Sequence, residues 1–176
     1  MTTSTFVALV AAGVVFAGVL VACRSSAEAG EAPPPEDASD GSGAPTPLAF
    51  ERVASGPQSA IRTEGLRPAY DTAGLDALWA EHGKLQLPAP PAPAVELGGR
   101  AAFGVFLGNR PTGGYAVEVV RVLRRADGTL VVEAVERTPA PGSMNTQAVT
   151  APFELVAVEG AAPGEPFELV LTPETR

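Results

Sequence analysis

The order of apolar and polar residues divides the chain into three segments. Residues 1–22 carry no charged side chain, and residues 6–22 form an unbroken run of apolar residues and glycine. Residues 23–47 are polar and rich in proline, glycine and acids. Residues 48–176 contain the alternating and periodic patterns of folded structure, so we expect one domain there, large enough for a single core.

From residue 100 onward, the pattern predicts a meander of β-strands. Five stretches rich in Val, Leu, Phe and Thr are separated by turn residues: RAAFGVFLG, GYAVEVVRVL, TLVVEAVER, PFELVAVE and PFELVLT. Ala126-Asp127-Gly128 predicts a tight hairpin turn between the second and third stretches. The apolar positions change face near Val120, and a β-bulge or a strand shared between two faces would explain that change.

The last two stretches contain the same five residues, Pro-Phe-Glu-Leu-Val, at 152–156 and 166–170. Two copies are too few for a solenoid, so we interpret them as two similar strands flanking one turn. Acids alternate with apolar residues along the predicted strands, which is typical of solvated faces; they are Glu133, Glu136, Glu154 and Glu168. The bases Arg121, Arg124 and Arg125 are interpreted in the same way, as a soluble strand end.

Residues 71–83 predict the one helix of the domain. Asp71 is a suitable N-cap, and Gly83 is a typical helix end. Leu75, Leu78, Trp79 and His82 follow the spacing of one helical face, so we expect Trp79 in the core with its indole N–H bonded to a partner. The position of His82 at the helix end favours a cationic imidazole.

The segments on either side of the helix predict extended structure. LAFERVA and QSAIR, before the helix, are two short extended stretches broken at residues 55–57. LQLPAPPAPAV, at residues 85–95, contains four prolines and cannot join a sheet interior, so we expect a connector over the surface. The predicted fold class is α+β: a predominantly antiparallel, sandwich-like β meander with one packed helix, preceded by a disordered tether.

The apolar segment at the start predicts a lipoprotein signal peptide over residues 1–22. Leu20-Val21-Ala22-Cys23 resembles the lipobox of bacterial lipoproteins, which implies cleavage before Cys23 and a diacylglyceryl thioether on its sulfur. Two or more acyl chains would anchor the protein stably. An uncleaved membrane helix and an incidental cysteine are the alternatives, because the run is close to membrane-spanning length and no Lys or Arg precedes it.

Residues 23–47 predict a lipidated, disordered linker. The tract after Cys23 contains five acids, one Arg and five prolines, but no aromatic or branched aliphatic residue. It cannot bury enough apolar surface to offset the entropy of an ordered backbone. We interpret it as an acidic spacer that holds the domain away from an anionic membrane.

The charge and the rare residues exclude several functions. With 12 Lys and Arg against 20 Asp and Glu, the chain lacks the basic balance of a nucleic-acid-binding protein. One Cys and one His exclude disulfide frameworks, cysteine zinc sites and multi-histidine metal clusters. We therefore expect no metal, no cofactor and no nucleic-acid partner.

The most specific feature of the domain is the long loop between the first two strands of the meander. Its proline fixes one φ angle, and its glycine pair permits positive φ and the close approach of another backbone. We expect a rigid loop that could contact a partner, although a wide turn shaped only by backbone geometry has the same residues. The candidate contact residues are Asn109, Arg110, Pro111, Thr112, Gly113, Gly114 and Tyr115.

This loop and the strands around it resemble the C-terminal domain of the PrcB family, named for a subunit of a surface protease complex. The resemblance covers about residues 101–158, and it implies an exported, non-catalytic subunit that associates with or stabilises a protease. The residues that carry it are Phe106, Gly108, Pro111 to Tyr115, Val117, Val119, Leu130, Val132, Pro139, Gln147, Thr150, Pro152 and Phe153.

Two other functions are weighed against that one. Pro-Thr-Gly-Gly-Tyr is similar to a loop of the chagasin-type protease inhibitors, but Arg67-Pro68 and Arg110-Pro111 are not followed by the aromatic residue that a second inhibitory loop of that family uses. No Gly-x-Ser-x-Gly motif indicates a hydrolase nucleophile, so we predict no catalytic residues.

The sequence therefore predicts a lipid-anchored, extracytoplasmic lipoprotein of the bacterial cell envelope. Its β domain is expected to be a protein-binding module and an accessory subunit of an envelope protease. A protease inhibitor and a purely structural envelope protein are the alternatives.

Overall fold

The computed structural model describes residues 43–175. The predicted signal peptide, Cys23 and most of the linker lie outside the described residues. Nine elements follow one another in the described part of the chain: β1 (Thr46–Pro47), β2 (Phe50–Gly56), β3 (Gly65–Ala69), α1 (Thr72–Gly83), β4 (Arg100–Phe106), β5 (Ala116–Arg124), β6 (Leu130–Thr138), β7 (Phe153–Glu159) and β8 (Phe167–Thr175).

The strands form two four-stranded sheets within residues 43–175. The first sheet has the strand order β1-β5-β6-β8, and the second has the order β2-β7-β4-β3. The main core lies between the sheets and includes the fully buried Phe103, Leu130 and Val156. This arrangement confirms the predicted fold class of an antiparallel, sandwich-like domain with one helix.

The connections between the sheets differ from a simple meander. β5 and β6 form the predicted hairpin, but β4 and β5 lie in different sheets, and so do β7 and β8. β8 returns to the first sheet and pairs parallel with β6. The two Pro-Phe-Glu-Leu-Val copies are therefore not neighbouring strands, because a strand pattern does not encode which sheet a strand joins.

The helix packs on the outer face of the second sheet and forms a third layer. Its residue Leu75 is buried against Ala69, Ala102 and Leu155. The Asp71 carboxylate accepts a hydrogen bond from the Gly74 N–H at 2.7 Å, which confirms the predicted N-cap. The central strands of this sheet are thus covered on both faces, whereas the first sheet has only one covered face.

The other local predictions have mixed outcomes. The register of β5 against β6 shifts between Val119 and Arg121, which confirms the predicted bulge. Residues 84–99 form no strand, as expected for the proline-rich connector. The predicted strand QSAIR is wrong, and the strand after it, β3, was missed because it contains Pro68. β3 lies at the edge of its sheet. A proline, which lacks an N–H, can face away from the neighbouring strand there, so no hydrogen bond of the sheet is lost.

Candidate functional site

The predicted contact loop lies at one end of the sandwich, where the chain crosses from one sheet to the other. At this end β2 and β4 finish and β5 and β7 begin, since Gly56 and Phe106 both pair with Phe153; we call it the loop end. β1 pairs with Leu123 and Arg124 at the opposite end, where β5 finishes. We call that the linker end, because the linker joins the domain there.

The loop is held in place by hydrogen bonds to the segment between β6 and β7. Arg110 and Thr150 exchange two backbone hydrogen bonds of 2.8 and 2.9 Å. The Gly113 N–H donates to the Thr146 carbonyl at 2.8 Å, and the Thr150 hydroxyl donates to the Thr112 carbonyl at 2.8 Å. The loop is therefore held in place against the domain. Some of its backbone N–H and C=O groups are already paired within the domain.

The close packing of the loop against the segment between β6 and β7 requires glycine at positions 113 and 114. Gly114 has a φ of +87°, and a Cβ atom there would collide with the side chain of Asn145. A Cβ atom on Gly113 would lie 2.7 Å from the hydroxyl oxygen of Thr146. The side chains that approach these glycines so closely belong to the chain itself, which the sequence could not indicate.

The side chain of Arg110 turns back into the domain. Its Nε donates to Glu136 at 2.6 Å, and its Nη2 donates to Glu64 at 2.9 Å. Its Nη1 donates to the Leu107 carbonyl at 2.5 Å, and the side chain is only 17% exposed. The paired carboxylates raise the pKa of Arg110. Arg110-Pro111 therefore presents no free guanidinium to a partner.

Tyr115, at the foot of the loop, borders a cleft between the two sheets. One cavity of about 190 Å³ lies between the end of β2 and the start of β5, with Phe153 at its base. A second cavity of about 270 Å³ lies beside it and is bordered by Trp79 and His82. Ser55, Gly56, Pro57 and Phe153 line both cavities, and we call the pair the Phe153 cleft. In the sequence, residues 55–57 indicate only a break between two extended stretches.

An aromatic cluster forms the floor of the Phe153 cleft. The ring of Phe153 lies 4.0 Å from that of His82 and 6.1 Å from that of Trp79, centroid to centroid. The Trp79 indole N–H donates to the Pro90 carbonyl at 3.0 Å, which confirms the prediction that it finds a partner. Pro90 belongs to the connector, so this bond fixes the connector beside the cleft.

The prediction of a cationic His82 is wrong. His82 is only 2% exposed, and its Nδ1 lies 3.0 Å from the hydroxyl of the equally buried Ser59. Burial lowers the pKa of His82. The helix dipole favours a cation at this end, but desolvation outweighs it, so the imidazole is neutral near pH 7. No described carboxylate lies within hydrogen-bonding distance of the ring.

The prediction of a solvated Glu154 is also wrong. Glu154 is 3% exposed, and its carboxylate contacts the Nε of Arg52 at 3.1 Å and accepts a hydrogen bond from the Val119 N–H. Burial raises its pKa, while the Val119 hydrogen bond and the charge of Arg52 oppose that change. Because Val119 belongs to β5, Glu154 links the two sheets beside the Phe153 cleft.

Apolar side chains are exposed around the loop end. Leu87 is 97% exposed, and Met144 is fully exposed. Leu85 and Val149 are also more than half exposed. The segment that braces the loop, residues 138–153, contains no charged residue, and neither do residues 53–61 or 85–95. Polar and charged side chains usually cover the end of a sheet. A sheet end with exposed apolar side chains and no charge is instead suited to contact with another molecule.

Other features of the described residues are less informative about function. A larger cavity of about 570 Å³ lies between the start of α1 and the connector. Across residues 43–175 no group of three or more His, Cys, Asp and Glu side chains is arranged to hold a metal ion. In the same part of the chain, no helix has the length and apolarity that a membrane crossing requires.

Comparison with known proteins gives one match. Neither the curated proteins nor the solved structures contain a chain that matches this one. The family model described as PrcB C-terminal matches residues 102–159, which include most of β4, all of β5, β6 and β7, and the whole contact loop. The matched part is close to the 101–158 expected from the sequence. Residues 102–159 are thus similar to the PrcB C-terminal region, and the predicted resemblance is confirmed.

Proposed function

We propose that the protein is a lipid-anchored lipoprotein of the cell envelope whose β domain is a non-catalytic binding module of a protease assembly. The observation that carries this proposal is the PrcB C-terminal match, because it spans the contact loop, the strands that hold it and the segment that braces it. The family is named for a subunit of a surface protease complex. The contact surface is assigned to the loop at residues 109–115 and the adjoining Tyr115 side of the Phe153 cleft.

The state of the loop supports binding over a purely structural role. Its hydrogen bonds to residues 146 and 150 hold it in one conformation, so little entropy is lost when a partner docks. Asn109 and Pro111 remain exposed, while the exposed Met144 and Val149 lie on the bracing segment. A structural end cap would have no need of uncovered apolar side chains.

The histidine environment supports a role without catalysis. A histidine acting as a general base needs access to substrate and commonly a carboxylate that orients it. His82 is buried under Trp79 and Phe153, and its hydroxyl neighbour Ser59 is 3% exposed. We assign this pair to the packing of α1 on β2 and the residues that follow it.

Affinity capture from native cells tests the binding role. A tag inserted in the turn at residues 126–128 lies at the linker end and leaves the loop uncovered. We expect the full-length protein to retain a protease subunit, and the double variant Thr112→Ala, Tyr115→Ala to lose most of it. Truncation of Tyr115 removes the aromatic surface at the foot of the loop.

The matched control is the double variant Thr46→Ala, Phe167→Ala. It also removes one threonine and one aromatic side chain, but both lie at the linker end. This control should retain the protease subunit at the wild-type level. Equal loss in both double variants would assign the contact elsewhere, and recovery of no protease subunit by the wild-type protein would refute the proposed partner.

Metabolic labelling with an alkyne fatty acid tests the anchor. We expect label on the wild-type protein and none on Cys23→Ser, with the variant retained as an unprocessed precursor. The control is Ser25→Cys in the Cys23→Ser background, which restores a thiol two residues from the lipobox and should not restore labelling. Label that persists on Cys23→Ser would contradict the lipoprotein assignment.

A further inference from the structure

We propose that the Phe153 cleft binds an extended, uncharged segment of a partner protein by strand addition at the ends of β2 and β5. This inference rests on the proposed binding function and adds the chemistry of the bound segment. It is carried by three features of the cleft: its open strand edges, its apolar floor and its lack of charge.

The strand edges on both sides of the cleft are open. β2 is the outermost strand of its sheet. On the edge of β5, β1 and Leu48 cover residues 122–124, and the Val119 N–H and C=O bind Glu154 and Arg52, so the open part is the start of the strand. The opposite part of β5, from Ala116, borders the cleft. Edge strands direct every second N–H and C=O away from the sheet. An extended segment entering between them would find backbone groups to pair with, as in other complexes formed by strand addition.

The floor of the cleft has room for side chains on either side of residues 55–57. Phe153 lies under both cavities, which have volumes of about 190 and 270 Å³. The smaller cavity is bordered by Tyr115 and Val117, and the larger by Trp79 and Pro90. Two separate uncharged cavities, each with Phe153 in its lining, suit two uncharged side chains of one extended segment.

The charge of the cleft selects an uncharged segment. None of the residues that line the two cavities is Asp, Glu, Lys or Arg. Glu154, which follows Phe153 in β7, already contacts Arg52 and the Val119 N–H. A charged side chain of the partner would lose water in the cleft without gaining an ionic partner.

The position of the cleft favours a segment of another protein over the chain's own linker. The linker joins the domain at Thr46, beside Leu123 and Arg124, at the opposite end of β5. That linker also carries five acids, which the uncharged cleft would exclude. A partner segment approaching the loop end meets neither obstacle.

Selection from a phage library of random dodecapeptides tests the proposal. The bait is the full-length protein in detergent micelles. We expect enrichment of peptides that are depleted of Asp, Glu, Lys and Arg relative to the library. A synthetic peptide from that set should bind Ser55→Lys at least tenfold more weakly than wild type. Ser55 is exposed and borders both cavities, so a lysine there fills the cleft and adds a charge while leaving the core intact.

Two further variants serve as controls. Ala126→Lys adds the same charge at the exposed hairpin of the linker end and should bind the peptide within twofold of wild type. Ser55→Ala removes the hydroxyl without filling the cleft and should do the same. Enrichment of charged peptides, absence of enrichment, or equal binding by Ser55→Lys would each overturn the proposal.

The remaining outcomes distinguish other occupants and also count against the proposal. Binding that appears only after residues 24–42 are replaced by a Gly-Ser linker would assign the cleft to the chain's own linker. Self-association that Ser55→Lys abolishes, without peptide enrichment, would assign it to a second copy. If peptide selection fails while the loop variants still lose the captured protease subunit, the proposed function stands and only the cleft assignment falls.

Discussion

The pentapeptide Pro-Phe-Glu-Leu-Val occurs twice in this chain, and its two copies have different environments. In β7 the side chains from Phe153 to Val158 are buried, because β7 is a central strand with the other sheet on one face and α1 on the other. In β8 the same residues are exposed or half-buried at a sheet edge. Position in the sheets, and not local sequence, decides what each side chain does.

The difference is largest at the phenylalanine and the glutamate. Phe153 is 7% exposed within an aromatic cluster and forms the floor of the cleft, whereas Phe167 is 41% exposed and makes a T-shaped ring contact with Phe103. Glu154 joins the two sheets, whereas Glu168 makes a surface ion pair with Arg125 at 2.6 Å. The β7 copy therefore holds both the core and the candidate site.

Truncation of the two phenylalanines should show the largest contrast. We expect Phe153→Ala to lower the free energy of unfolding by about 4 kcal/mol, because it leaves a cavity among Trp79, His82 and Phe106. Phe167→Ala should cost about 1 kcal/mol, since much of its ring remains in water. Urea unfolding followed by circular dichroism measures both, and equal losses would refute the assigned burial.

Removal of the two glutamates should give the next largest contrast. Glu154→Ala leaves the Val119 N–H without its acceptor and the Arg52 side chain without one partner, so we expect a loss of about 3 kcal/mol. Glu168→Ala breaks an exposed pair and should cost less than about 1 kcal/mol. Glu154→Gln keeps an acceptor oxygen and should fall between them. A loss from Glu168→Ala as large as that from Glu154→Ala would contradict this account.

The smallest expected effect is on the pH dependence of the free energy of unfolding. It comes from a residue that packs on the β7 copy of the pentapeptide. The pKa of His82, which packs on Phe153, is lowered by burial from its usual value near 6.5. Unfolding therefore takes up a proton at His82 as the pH falls through 6.5, so the His82 contribution to stability should decrease from pH 7 toward pH 5, whereas the raised pKa of Glu154 acts in the opposite direction. His82→Gln should flatten that slope in urea unfolding measured at each pH. An unchanged slope would exclude His82 as its source.

Much of the fold is local enough to be predicted from the sequence. The helix follows from Asp71 and the spacing of its apolar residues, and the bulge follows from the change of face near Val120. The two copies of the pentapeptide mark the limit of such reasoning. Nothing within the pentapeptide distinguishes Glu154 from Glu168, because the Val119 N–H that binds Glu154 lies 35 residues away.

The candidate site was predictable only in part. The loop at residues 109–115 stood out by its glycines, but the segment that those glycines accommodate lies some 30 residues later, around Asn145 and Thr146. The cleft beside it combines residues 55–57, Tyr115 and Phe153, which only the topology brings together. The burial of His82 under Trp79 likewise depends on how α1 packs.

Site-specific photo-crosslinking in native cells tests the central claim most directly, namely that the loop end contacts a protease subunit. A photoreactive phenylalanine analogue would replace Tyr115 at the loop end or, as the control, the exposed Phe167 of β8. The account predicts a cross-link to a protease subunit from position 115 and none from position 167. A cross-link from position 167 alone, equal cross-links from both positions, or none from position 115 would contradict it.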